Sequence, residues 1–199
     1  MHSTTSRGAR TERRILQAAF ELFLEQGYHG TSMRQVARRA RITPAAIYNH
    51  FDSKESLFVA LLWERVPHRA ILRGLAAAEG DSVDALVHDA LDRMQTAAAD
   101  QFDNFRLMFI ELLEFKAKHA EDLGEEFIPQ LFAFVERLHV VSGAMKPMSD
   151  VLMARAFFGL FFSYVLTGAL FQRLPAFGTN PGDLQSLGDI FLSGVLKPD

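Results

Sequence analysis

Residues 31–58, TSMRQVARRARITPAAIYNHFDSKESLF, constrain this chain more than any other stretch. Met33, Val36, Ala37 and Ala40 recur at helical spacing behind a cap at Thr31 or Ser32. Arg41-Ile42 interrupts that helix and Thr43-Pro44 starts the next. Threonine there caps the new helix, and proline at its first position forfeits no needed hydrogen bond. This middle helix is short, about 43–50, and Phe51 is expected to close it by packing inward. Asp52-Ser53-Lys54-Glu55 then offers a capping box for another helix. The middle helix keeps a polar outer face that a folded core cannot use. A helix-turn-helix that places its second helix in the DNA major groove needs this layout.

The rest of the chain also reads as helix, with no alternating strand pattern. Ile15, Ala18, Ala19, Leu22 and Phe23 share a face of a first helix, about 9–27, which Gly27 stops. A fourth helix, about 53–78, carries Leu57, Leu61 and Val66, and Pro67 kinks it or ends its first half. Further helices are expected from about 83 and over about 103–118, 121–141, 149–173 and 182–196. Loops are expected at Ser142–Pro147 and at PAFGTNPGD. The fold class is all-α with about nine helices: a three-helix head over residues 1–52 with a basic arm, and a larger helical body over 53–199.

Charge divides the same way. Residues 1–54 hold nine basic and four acidic side chains, net +5, whereas the remainder nets −8. A basic head on an acidic body suits a polyanion met by the head alone. The chain has no cysteine, so disulfides and thiol chemistry are excluded. MHSTTSRGARTERR lacks the apolar segment of a signal peptide. Ala156–Phe171 carries no charged side chain but is shorter than the roughly 20 residues of a membrane span. It reads as a helix buried on all sides, with no membrane involved and a cytoplasmic location expected.

The string ITPAAIYNHFDSKESLF closely resembles the core signature of the TetR family of transcriptional regulators. Gly27-Tyr28, Thr31, Met33, Val36 and Ala37 fit as well, and the resemblance covers about residues 11–60. It implies a dimeric DNA-binding regulator, most simply a repressor, that binds a palindromic operator in double-stranded DNA and answers to a small effector. The DNA-facing set it implies is Ser32, Arg34, Gln35, Thr43, Pro44, Ala45, Ala46, Tyr48, Asn49, His50 and Lys54. Among these, Tyr48, His50 and Lys54 take phosphate, Arg34 and Gln35 reach base edges or phosphates, and direct readout leans on Asn49, Arg34 or Gln35. Arg7 and Arg10 supply an arm. Two departures stand out: Arg41 occupies a turn position where the family usually has glycine, and Pro44, Ala45 and Ala46 offer no bidentate base contact. Apolar contact with thymine methyls is expected instead.

The body is rich in phenylalanine, and the resemblance implies an apolar, aromatic effector pocket there. Met94, Met108, Phe109, Leu112, Phe127, Leu131, Phe134, Phe158, Phe161 and Phe162 are the lining expected; Glu111, Glu114 and His88 are either polar fixtures for a polar or cationic group or ordinary surface residues, two readings of equal standing. Gly159, Ser163 and Thr167 form a stripe of small residues, and Leu184, Leu187, Gly188, Phe191 and Val195 an apolar side of the last helix. Together these suit an isologous homodimer interface. An enzyme is the weakest alternative. The chain has no glycine-rich phosphate loop, no HExxH and no Gly-x-Ser-x-Gly, and its seven histidines show no metal-ligand spacing. No catalytic residue, metal or cofactor is expected. A helical interaction module without DNA binding is the other alternative.

Overall fold

The computed structural model describes residues 3–99, 102–141, 145–171 and 183–197. Among these, ten helical segments form, and extended pairing is limited to an isolated antiparallel bridge between Met145 and Leu196. The chain is all-α, as its periodicity requires. Most of the PAFGTNPGD loop lies outside the described residues.

Helix α1 (Ser3–Gly30) breaks at Gly27, whose φ of 76° and ψ of 171° suit glycine. It buries Ile15, Leu16, Ala19, Leu22 and Phe23. Helix α2 (Met33–Arg39) starts at Ser32 and α3 (Pro44–Ile47) at Thr43. Helix α4 (Lys54–Arg65) starts in a capping box whose second member is Ser56 rather than Glu55. Pro67 divides the expected fourth helix: α4 ends before it, and α5 (His68–Ala76) begins after it. Helices α6 (Val83–Ala98), α7 (Phe102–Glu114), α8 (Ala120–Val141), α9 (Asp150–Phe171) and α10 (Leu184–Val195) complete the chain.

Packing gathers the chain into two compact units, Met1–Val66 with Asp103–Ala120, and Pro67–Phe102 with Glu121–Asp199. The first unit thus extends beyond residue 52, because Leu57, Phe58 and Leu61 of α4 and Leu107 of α7 complete the core begun by α1–α3. In the second unit α10 and α5 pack against α6, and α9 packs against α10. Gly80 lies against the start of α6: a Cβ there would meet backbone atoms of Ala85 and Leu86, at 2.7 Å for Ala85 C. Arg137 of α8 donates to the Leu75 and Ala76 carbonyls at the end of α5 and to the Ala78 carbonyl just beyond it.

Helix α9 departs from expectation. Only 22% of the window Asp150–Gly168 is buried, so it is not enclosed on all sides. Met153, Ala154, Phe157 and Phe161 face the unit core, while Val151, Leu152, Gly159, Ser163 and Leu166 are exposed. By length and composition alone the window could cross a membrane. The helix instead commits one face to a protein core, and Arg155 lies exposed within its span.

Candidate nucleic-acid interface

The interface is built on two caps and one turn. Ser32 Oγ accepts from the Gln35 N–H at 3.3 Å, while Gln35 Oε1 accepts from the Ser32 N–H at 2.8 Å and from its hydroxyl at 2.7 Å. Thr43 Oγ1 accepts from the Ala46 N–H at 3.2 Å and starts α3 at Pro44. Between them the Arg41 N–H donates to Arg38 O and the Ile42 N–H to Ala37 O, the paired bonds of a Schellman turn. Arg41 takes the left-handed position of that turn, with φ 55°. An L-residue there costs about 1 kcal/mol relative to glycine. Arg14 of α1 donates to the Ala40 and Arg41 carbonyls and holds the turn from behind.

Ile47 and Phe51 anchor α3 in the core, leaving Thr43, Pro44, Ala45 and Asn49 exposed, Ala46 and His50 partly so, and Tyr48 53% exposed. A groove of about 400 Å³ runs between Arg34, Gln35 and Arg38 of α2 and Ile42 and Pro44 at the start of α3. Arg34 and Arg38 are exposed and carry no ion pair among the described residues. Arg38 is a groove residue outside the set expected from sequence. Its signal is its place one helical turn on from Arg34. Arg39 turns the other way, forked onto Glu25 with two bonds of 2.8 Å and onto Glu21 at 3.2 Å. That ion-paired fork holds the Glu25 carboxyl below the usual carboxylate range.

Three expected contacts need correction. Lys54 does not offer its ammonium to an incoming phosphate. Nζ donates to Tyr28 O and Thr31 O, each at 2.7 Å, and sits 4.2 Å from the Tyr28 ring centroid. Burial pushes its pKa down. Gln35 has its carbonyl oxygen committed to Ser32, so a bidentate adenine contact would break the capping box and only its NH₂ remains for a base. Ser32 is likewise occupied as a cap.

The expected effector and dimer residues are also redistributed. Met94, Phe134 and Phe161 are closed within the second unit, while Phe127, Leu131, Phe158 and Phe162 are partly open. Phe127 and Phe158 meet edge to face at 4.5 Å, and Phe134 lies 4.7 Å from Phe157. Met108, Phe109 and Leu112 fall in the first unit: Met108 packs on its core and Leu112 is 57% exposed. Glu111 is buried against His119, accepting from its backbone N–H at 2.7 Å and lying 2.9 Å from its ring. Leu184, Gly188, Phe191 and Val195 are buried inside the chain and have no surface left for a second copy. Leu187 is partly open, and the exposed apolar residue of α10 is Ile190, at 61%. Gly159 and Ser163 remain exposed and Thr167 partly so. His88 is brought within 3.4 Å of Asp84 and 3.1 Å of Asp189, a grouping that could hold a cation and that ion pairing to the imidazole explains equally well.

Comparison with known proteins agrees with this geometry. Residues 15–61 match the sequence profile described as "Bacterial regulatory proteins, tetR family". The HTH-type transcriptional regulator UidR of Escherichia coli is 36% identical over 88 residues, 40% of this chain and 44% of that protein, so the match spans less than half of that relative. YvkB of Bacillus subtilis, also named an HTH-type transcriptional regulator, is 26% identical over 74% of this chain and 79% of its own length. The structure of NalD, the secondary repressor of the MexAB-OprM multidrug efflux pump in Pseudomonas aeruginosa, superposes with a TM-score of 0.68 at 25% identity, covering 96% of this chain and 98% of that one. These relatives are named as regulators rather than enzymes. The helix-turn-helix thus lies within the stretch that matches the tetR-family profile, and the helical architecture around it is similar to that of the solved regulator NalD.

Proposed function

We propose that this protein is a ligand-responsive transcriptional repressor that binds a palindromic operator as a homodimer and leaves it when a small hydrophobic or aromatic effector binds. One observation carries the DNA-binding part: the α2–α3 surface holds two exposed arginines, Arg34 and Arg38, with no ion pair among the described residues, beside a groove ending at Pro44. In this reading Arg34, Arg38, Asn49 and the Gln35 NH₂ reach base edges, and Tyr48 and His50 take phosphate. Thr43 and Pro44 position the helix, and Ala45 and Ala46 meet thymine methyls. Ser32 and Lys54 serve by holding the frame.

The dimer is assigned to the open face of α9, where Leu152, Gly159, Ser163 and Leu166 align, together with Ile190 of α10. The effector is assigned to the aromatic interior of the second unit, around Met94, Phe127, Leu131, Phe134, Phe158, Phe161 and Phe162. A ligand releases DNA only if it binds the non-binding conformation better. The likeness to NalD, named a repressor, favours repression as the sign of control.

Selection of bound sequences from a random duplex pool with the purified protein tests the reading. A palindrome should emerge, bound far more tightly whole than as a half-site, since a dimer reads half-sites about 34–36 Å apart or a multiple of that. Uracil in place of thymine under α3 should weaken binding. Absence of any salt-dependent DNA affinity would support a protein-interaction module instead.

A further inference from the structure

A second concavity lies beside the α2–α3 turn, on the α1 side. Its volume is about 1060 Å³, and five of its lining residues are Arg10, Arg13, Arg14, Arg39 and Arg41. Two of these are spent within the protein, Arg14 on the turn carbonyls and Arg39 on Glu21 and Glu25. Arg10, Arg13 and Arg41 are exposed and have no ion pair among the described residues. Two unfavourable features thus meet at one place. Three like charges surround a concavity, and one of them sits at φ 55°, a backbone conformation that glycine adopts far more readily. Among the described residues the Arg41 side chain has no hydrogen-bond or ion-pair partner.

We propose that this groove grips the DNA sugar-phosphate backbone flanking the half-site under α3, with Arg10, Arg13 and Arg41 as the phosphate-contacting residues. The inference rests on the DNA-binding reading above and extends its footprint. Continuity favours it: Arg41 lines this groove and the next residue, Ile42, lines the groove beside the recognition helix. A duplex on the recognition surface would therefore pass one residue away. Spacing favours it too. Arg10 and Arg13 lie three residues apart on α1 and so project from the same face, where both can meet one strand.

Arg41→Gly and the double variant Arg13→Gln/Arg41→Gly test it on a selected operator duplex with long flanks, by anisotropy titration over a range of salt. The slope of log affinity against log salt should become shallower by about 0.9 for each phosphate no longer neutralised, and the double variant should lose about twice as much as the single. On a duplex trimmed to the palindrome, variant and wild type should coincide. Arg41→Gly should melt no lower than wild type, so weaker binding cannot come from unfolding. If wild type binds the long duplex and both variants keep its affinity and slope, the flank assignment is overturned while the DNA-binding reading stands. If wild type binds no DNA, both fall. Should Arg41→Gly abolish binding of inorganic tripolyphosphate yet leave the duplex slope unchanged, the groove takes a free anion and the flank assignment is overturned.

Discussion

At the residue scale, charge in the head is sorted by partner rather than by sequence position. Arg34, Arg38 and Arg39 lie within six residues, yet Arg39 is forked onto Glu25 and Glu21 while the other two have no ion pair among the described residues. Lys54 shows the same point, with its ammonium tying the start of α4 to the Tyr28 and Thr31 carbonyls. Lys54→Met should therefore cost about 1.5–3 kcal/mol, the range for hydrogen bonds to a charged group, seen as a lower urea midpoint. The salt slope of DNA binding should stay unchanged, whereas removing a phosphate-binding lysine would make it shallower. Carboxylates give a pH signature. Bonds from Arg39 hold the Glu25 carboxyl down, and bonds from Lys118 and then His119 do the same for Glu55. With the folded values depressed, the unfolded chain binds more protons below the ordinary carboxylate range. This stabilisation is complete above that range and is lost as pH falls through it. The denaturation midpoint should drop between about pH 5 and about pH 3, and Glu25→Gln should flatten part of that drop.

At the element scale, short helices live on their ends. Helix α3 has four residues, too few to persist alone, and depends on the Thr43 cap and on Ile47 and Phe51 in the core. Thr43→Ala should cost about 0.5–2 kcal/mol and weaken operator binding in the same preparation, measured by thermal melting and gel shift. Gly80 is a different kind of end. The backbone of α6 occupies the space where a Cβ would go, so Gly80→Ala has to displace main chain. A loss of about 1–3 kcal/mol is expected, and an unchanged melting temperature would mean the turn relaxes freely. Caps, the proline at the start of α3 and the break at Pro67 are all legible in the sequence, because each is a local preference of a few neighbouring atoms. Gly80 is legible only as a turn residue, since the close approach depends on α6 folding back onto it.

At the scale of the whole molecule, the second unit presents apolar surface that its described residues do not cover. Leu152 and Leu166 on α9 and Ile190 on α10 are exposed, and none of the described residues comes within 4 Å of a Cβ built at Gly159. Gly159→Glu should thus leave the fold of the monomer intact by circular dichroism and shift sedimentation from dimer to monomer. A dimer that persists would move the interface elsewhere. The order of residues alone dictates the helices, their caps, the buried faces of α1, α2 and α4, and the position of α3, because period, capping and turn chemistry are short-range. The left-handed backbone at Arg41 is expected only from the resemblance, whose turn usually has glycine at that position. Which polar groups remain available, and which apolar faces stay open, is settled by tertiary packing. Gln35 is spent on Ser32, Lys54 on two carbonyls and Arg39 on Glu25, while α10 spends Leu184, Phe191 and Val195 inside its own unit. The physical reason is that periodicity marks a face as apolar or charged without saying what meets it; partners distant in sequence make that choice.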